Sequence, residues 1–530
     1  MSLDPMRISD RILLIQLWCL KLQGTRILLP NMSTPAEAVQ TARKAFASGV
    51  TRSYDFRMKQ IKALLRMVEE NEAKLVDAIV KDVRKPKFEA VGYEIESVKK
   101  ALKNIISNLE NWMKPQEPGK PKAFINDEVI IQPEPYGVVL IIGAWNYPIL
   151  LTLDPFTGAI AAGNTVILKP SEIAPHSAKI LADLIPKYLA PDCYQVVNGG
   201  IPETTKLLAE RFDYIFYTGS SSVGKIVHQA ASKFLTPVTL ELGGKSPVYV
   251  DETADLDLTA ARILFGRLAN AGQSCIAPDY VLCRREIQSK LVAACKKVID
   301  KWYGGNVKTN PDYGRIVNEN HFRRVVKLLE GAKIAIGGAH DVSDLYIEPT
   351  ILEDVQPTHP VMQEEIFGPI LPLITIKDAR EAVDFINERE KPLALYVFST
   401  DKQVQDLFLK NTSSGNMVVN DSFIHISCDT FMFGGVGNSG MGGYHGKYSF
   451  DTFSHMKGTL IKKLNRLGEY ANLARYPPFS EKKLNFITAA VKKRPSLPGL
   501  GCLSKFVIFG LGIGAAFLGQ FLVMYMEKRK

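Results

Sequence analysis

Between residues 138 and 217 the chain alternates short, largely apolar runs with helix-compatible stretches, and few architectures accept that pattern. The runs are Val138-Val-Leu-Ile-Ile142, Asn164-Thr-Val-Ile-Leu168, Tyr194-Gln-Val-Val197 and Tyr214-Ile-Phe-Tyr217. Each has a strand's length and is rich in β-branched and aromatic residues, yet lacks the polar alternation of a half-exposed strand. A strand apolar on both faces must be covered on both, which is the condition of a parallel sheet whose crossovers are helices. A second series runs through Val248, Tyr280-Val-Leu282, Pro372-Leu-Ile-Thr375 and Leu395-Tyr-Val-Phe398. The sequence therefore predicts an α/β fold with two such domains. Residues 36–115 precede them as helices, with Ile61, Leu64, Leu65 and Val68 at helical spacing.

The net charge is +10, which raises the question of a nucleic-acid or membrane partner. Its location answers it: +7 of that excess lies within residues 481–530, leaving +3 for the other 480, so the basic residues gather beside an apolar segment rather than on the body and nucleic acid is not expected as a partner. The basic residues flank Phe506–Met526, 21 residues without a charge, eleven of them Leu, Ile, Val or Phe. As a helix this segment would span about 31 Å, against a hydrocarbon layer of about 30 Å, so a C-terminal membrane anchor is expected. Just before it, Lys482 to Arg494 sets Leu484, Ile487, Ala490 and Val491 on one helical face, suited to an interface or to docking on the body. The seven cysteines are scattered without metal spacing, which fits a reducing compartment and no structural metal. Residues 1–31 resemble a signal peptide only superficially, since Lys21 follows the apolar run and no small-x-small cleavage site is present.

Chemistry concentrates in two glycine-lined turns, Glu241-Leu-Gly243-Gly-Lys-Ser and Gly272-Gln-Ser-Cys275. A cysteine nucleophile divides one hard step into two, and a carboxylate can activate the water that resolves the intermediate. Asn146, in the turn after the strand ending at Ile142, is placed to donate to a developing oxyanion. Thr218-Gly219-Ser220-Ser-Ser-Val-Gly-Lys225 follows a strand and opens a helix, a place for phosphate. Ile226 stands where a Walker A loop needs Ser or Thr, which disfavours an ATPase. Lys169-Pro-Ser-Glu172 closes another strand with a cation and a carboxylate.

Taken in order, Trp145-Asn146-Tyr-Pro148, Lys169-Pro-Ser-Glu172, Thr218-Gly219-Ser220, Glu241-Leu-Gly243-Gly-Lys-Ser, Gly272-Gln-Ser-Cys275 and Glu364-Glu365-Ile-Phe367-Gly-Pro369 resemble the aldehyde dehydrogenase superfamily. Phe433-Gly-Gly-Val-Gly-Asn-Ser-Gly-Met-Gly442 and Tyr444-His-Gly-Lys-Tyr-Ser-Phe-Asp-Thr-Phe-Ser-His455 are similar to its class 3 branch, and the apolar tail to the branch's membrane-bound fatty aldehyde dehydrogenases. The likeness covers about residues 36–480; Met432 departs from it, standing where proline is usual.

The resemblance implies roles. Cys275 would attack the aldehyde, Asn146 and the Cys275 N–H would hold the oxyanion, hydride would pass to NAD, and Glu241 would activate water against the acyl thioester. Lys169 and Glu172 would contact the adenosine ribose, Gly219 and Ser220 the diphosphate, and Glu365 with Phe367 the nicotinamide ribose, with Gly243 beside them. A carboxylate at the ribose favours NAD, with NADP possible.

The expected organisation is an N-terminal extension (1–31), a Rossmann-like NAD-binding domain (32–242) with a bridging hairpin at about 120–137, and a catalytic domain (243–420). A bridging segment (421–460), a linker with an amphipathic helix (461–505) and the transmembrane helix (506–526) follow. The resemblance also implies a homodimer and medium- or long-chain aliphatic aldehydes as substrates. The lipid bilayer joins them as a partner, with the body in the cytosol and the endoplasmic reticulum ahead of peroxisome and outer mitochondrial membrane. The alternatives are short or aromatic aldehydes, or a membrane-tethered scaffold without catalysis.

Overall fold

The computed structural model describes residues 34–121, 124, 127–464, 469 and 472–491. These form two units, one from the described residues up to Pro115 together with Gln132–Lys457, the other from Gln116–Ile131 and the described residues from Gly458 onward.

In the larger unit the apolar runs form a six-stranded sheet in the order Gly440–Met441, Val238–Leu242, Tyr214–Gly219, Val138–Ile142, Thr165–Lys169, Tyr194–Val196. The other five strands are parallel, and only Gly440–Met441 runs against its neighbour, setting Gly440 opposite Glu241. The chain goes outward from Val138–Ile142 on one side, then returns to its other side with Tyr214–Gly219. That reversal opens a crevice at the carboxyl ends of the two strands, where open α/β sheets bind their ligands. Asn146 and Ser220 sit just beyond those two ends.

The second series builds a seven-stranded sheet, Asn416–Val419, Ala394–Phe398, Pro247–Val250, Tyr280–Cys283, Ile370–Thr375, Thr350–Leu352, Ile334–Ile336, parallel except at its last edge. The N-terminal helices are Pro35–Ala47, Tyr54–Glu70, Glu72–Val83 and Glu96–Met113. Ile61, Leu64 and Val68 are fully buried, as their spacing requires.

One helix, Leu150–Ala162, is mostly apolar, with Thr152, Asp154 and Thr157 as its polar residues, and is buried along its length. Its first turn is capped from another element: Glu94 Oε2 accepts the N–H of Ile149 at 2.9 Å and of Leu150 at 3.2 Å. Orphan N–H groups inside a core would otherwise be costly. Glu94 in turn is paired with Lys85 at 2.8 Å, both side chains fully buried.

Near residues 120–137 the strand Glu128–Pro135 pairs with the distant Ser454–Ile461, and Ile131 also bridges antiparallel to Gln116, their backbones exchanging hydrogen bonds at 2.8 and 2.9 Å. The helix expected over Lys482–Arg494 runs Glu481–Val491, with Leu484 and Ile487 exposed. The N-terminal extension and the Phe506–Met526 segment lie outside the described residues. Among the described residues no helix is long and apolar enough to cross a membrane.

Candidate active site

Cys275 is delivered by a turn in which Asn270, Ala271 and Gly272 run left-handed in succession, at φ 51°, 53° and 78°. For the two that carry a Cβ this costs about 1–2 kcal/mol each, and hydrogen bonds hold the turn in place. The Asn270 N–H donates to Glu89 Oε2 at 2.7 Å, and Asn270 Nδ2 donates to the Asn146 carbonyl at 2.8 Å. Gln273 donates to the Asn270 carbonyl at 2.9 Å and accepts from the Val317 N–H at 2.9 Å. Gly272 has no substitute, because a Cβ there would lie 2.3 Å from the Gly368 carbonyl oxygen.

Asn146 is buried at 4% exposure. Its Nδ2 donates to the Gln273 carbonyl at 3.1 Å, and its own carbonyl accepts from Lys85 Nζ at 2.9 Å as well as from Asn270. The amide carries two hydrogens and Gln273 takes one, so a second donor remains on a rigid group. Glu241 rises from the strand Val238–Leu242 opposite Thr218, and neither of its carboxylate oxygens has a hydrogen-bond partner. Burial alone holds its carboxyl well above the usual range.

Two cavities meet here. One, of about 390 Å³, is walled by Tyr93, Ile105, Leu150, Phe265, Phe423 and Ile424. The other, of about 670 Å³, is lined by Lys169, Glu172, Gly219, Ser220, Gly243, Glu365 and Phe367, with Asn146. Cys275, Glu241, Thr218 and Leu151 line both. The sulfur therefore stands where an apolar tunnel meets a second crevice that carries charged and hydroxyl groups. Burial, then the charges of Glu365 and Glu241, push its thiol up, and the N–H groups of Cys275 and Ile276 recover only part.

The placement of the polar groups in the larger crevice suits a dinucleotide. At one end Lys169 Nζ donates to Glu172 Oε2 at 2.6 Å. Burial acts to raise Glu172, but the Lys169 ammonium outweighs it and holds the carboxylate charged. In the middle Ser220 caps the helix Ser221–Ser232, whose free N–H groups and dipole attract an anion. At the other end Glu365 Oε1 is buried without a partner, an acceptor awaiting a hydroxyl, and burial raises the carboxyl to about 8. A Cβ on Gly243 would lie 2.1 Å from Glu365 Oε2. Phe367 stands edge-on to Trp145 at 5.4 Å.

All ten residues expected from the sequence thus line this crevice or its junction with the tunnel. Sequence reasoning missed the residues that hold them. Lys85 and Glu94 look like ordinary charges on amphipathic helices, and nothing local marks their burial. Lys245 Nζ donates to Asp279 at 2.5 Å and to the carbonyls of Val361 and Glu364, both at 2.8 Å, while Arg324 donates to the carbonyls of Glu365 and Ile366. These clamps fix the loop that presents Glu365 and Phe367.

Comparison with known proteins agrees. A family model described as aldehyde dehydrogenase family matches residues 31–459. The chain is 51% identical over 480 residues to aldehyde dehydrogenase family 3 member A2 of Macaca fascicularis, covering 91% of this chain and 98% of that one. It is 52% identical over 447 residues to the aldehyde dehydrogenase of Rattus norvegicus described as dimeric and NADP-preferring, covering 84% and 98%. A solved substrate-bound state of Staphylococcus aureus AldH superimposes with a TM-score of 0.84 at 43% identity, covering 87% of this chain and all of that one. With this fold, these motifs and these relatives, the chain belongs to the aldehyde dehydrogenase family and is an NAD(P)-dependent oxidoreductase acting on aldehydes.

Proposed function

We propose that the chain oxidises medium- and long-chain aliphatic aldehydes to carboxylic acids, with Cys275 as nucleophile, Asn146 as oxyanion donor and Glu241 as general base. The observation that carries this is the position of Cys275 and Glu241 at the meeting of an apolar tunnel and a crevice shaped for a dinucleotide.

Lys169 and Glu172 would hold the adenosine ribose, Gly219 and Ser220 the diphosphate, and Glu365 and Phe367 the second ribose, with Gly243 allowing the close approach. Bound NAD supplies the acceptor for the hydride that leaves the aldehyde carbon. The Glu172 carboxylate disfavours a 2′-phosphate, so NAD is preferred to NADP. Cys275 must lose its proton before attack, and the buried site opposes this through Glu365 and Glu241. A cation brought against the sulfur is what reverses that balance. The Asn146 amide and the Cys275 N–H then stabilise the oxyanion, a contribution of about 10² to 10³ in rate for one such donor. Glu241, its oxygens free of other bonds, takes the proton of the water that cleaves the acyl thioester.

The tunnel's apolar wall and the apolar segment Phe506–Met526 support a lipid aldehyde delivered from the bilayer, with the C-terminal segment as anchor and the body in the cytosol, at the endoplasmic reticulum before other membranes. The rat relative described as dimeric supports a homodimer. Detergent-solubilised protein supplied with NAD⁺ and aldehydes of three to eighteen carbons tests the substrate class. A kcat/KM that rises with chain length is expected, and a preference for the shortest would overturn it.

A further inference from the structure

The tunnel wall is broken by one buried carboxyl that the reaction does not use. Asp154 lies one turn beyond Leu150 on the helix Leu150–Ala162, is 6% exposed, and opens on the same cavity as Cys275 and Glu241. Its Oδ2 is 3.5 Å from Nε2 of His445, which is 8% exposed and lines the cavity too. Both groups are fixed. Asp154 sits inside a helix buried along its length. The backbone N–H of His445 donates to Ser449 Oγ at 2.9 Å, and the ring stacks on Phe433 at 5.1 Å with planes 16° apart.

A polar pair in an apolar wall is expensive unless it is satisfied. At 3.5 Å the two atoms stand beyond the usual hydrogen-bond distance, so each keeps capacity for a third polar atom placed between or beside them. We propose that Asp154 and His445 form a hydrogen-bonding subsite of the substrate tunnel that reads a hydroxyl group on the carbon chain of the aldehyde. This rests on the functional reading above and narrows its substrate class.

The electrostatics select a neutral group. Burial raises the Asp154 carboxyl to about 7 and pushes the His445 imidazole down to about 3, His425 and Lys100 adding to the latter. The Tyr444 phenol beside the pair is itself raised by burial and by Asp154, and Lys100 and Asp429, paired with each other at 3.8 Å, also line the cavity. Raised to about 7, the Asp154 carboxyl is part protonated at neutral pH, and in that form it donates and accepts, as the neutral imidazole does. Together they match a hydroxyl, whereas an ammonium would have to be desolvated beside His445 in an apolar wall. A site built to bond a hydroxyl discriminates against the analogue lacking it, because its own polar groups are then left unpaired.

The test uses the full-length enzyme with NAD⁺ and aldehydes of equal chain length, unsubstituted, hydroxylated at successive carbons, or ω-amino. At one hydroxyl position kcat/KM is expected to exceed that of the unsubstituted aldehyde by about tenfold or more. In Asp154→Leu that ratio falls to one or below, and Asp154→Asn, which keeps a donor and an acceptor, retains part of it. The readout is a ratio within one enzyme, so lowered yield or stability of a variant does not move it. No preferred hydroxyl position, a preference untouched by Asp154→Leu, or a greater preference for the ω-amino aldehyde would overturn the proposal. NADH formation from none of these aldehydes would instead overturn the functional reading, and the subsite with it.

Discussion

Lys85 and Asn146 stand 61 residues apart in the chain and meet in the core, the ammonium donating to the Asn146 carbonyl at 2.9 Å. The same ammonium pairs with Glu94 and lies 3.9 Å from the centre of the Tyr147 ring. Glu94 caps the helix that carries Leu150, Leu151 and Asp154 into the tunnel. One buried ion pair thus sets the oxyanion donor and the tunnel helix together. Lys85→Met leaves Glu94 buried without its partner, a loss of about 3–5 kcal/mol. Urea unfolding should show that loss, and Lys85→Met with Glu94→Gln should lose less than the two singles summed.

Asn146→Ala removes the side-chain donor while leaving the backbone carbonyl that Lys85 and Asn270 hold. A fall in kcat/KM of about 10² to 10³ is expected. NAD⁺ affinity, measured by quenching of protein fluorescence, should change little. A loss of binding matching the loss of rate would give Asn146 a structural role instead.

Glu241 is buried with both oxygens unbonded, and its folded-state pKa lies well above the ordinary 4.5. The folded protein therefore holds this proton more tightly than the unfolded chain. Stability from this residue is full below pH 4.5 and is lost as the pH rises above it. Glu241→Gln escapes that loss, so its melting temperature should exceed wild type by a few °C at pH 8 and by much less at pH 5. Its turnover should fall by about 10² to 10⁴, with a burst of roughly one NADH per site before the slow phase. Equal melting temperatures at pH 8 would contradict the burial argument, and the absence of a burst would contradict the role in hydrolysis.

In the cofactor-free enzyme the Cys275 thiol is raised by burial and by Glu365 and Glu241. Its alkylation by iodoacetamide should therefore still climb about tenfold per pH unit through pH 9. A plateau near pH 7 would show that the empty site already stabilises the thiolate.

Gly243→Ala would press a methyl group 2.1 Å from Glu365 Oε2 and displace that carboxylate. The KM for NAD⁺ should rise about tenfold or more, a loss of roughly 1.4 kcal/mol or more in binding, while the KM for aldehyde moves less. Unchanged NAD⁺ kinetics would remove Glu365 from the cofactor site.

The sheet and the reacting groups were legible because each has a local signature. Val138–Ile142 and Tyr214–Gly219 carry their two-sided burial in their apolar runs; Cys275 and Asn146 sit in glycine-bearing turns, and Glu241 lies in the strand that ends one residue before such a turn, not in the turn itself. The supports have no such mark. Nothing in the residues beside Lys85, Glu94 and Asp154 marks them as buried, and only tertiary packing makes them a buried pair and a tunnel carboxyl. The pairing of Glu128–Pro135 with Ser454–Ile461 has no such mark either, since its two strands lie more than 300 residues apart and pairing at that range leaves no trace in local periodicity.

The central claim is that Cys275 becomes acylated during turnover. Acid-quenched Glu241→Gln, mixed with NAD⁺ and an aliphatic aldehyde, should carry on the Cys275 peptide an acyl group of the aldehyde's mass less two hydrogens, and Cys275→Ser should carry none. NADH formation by Glu241→Gln with no adduct on Cys275, or with the acyl group on another residue, would contradict the account.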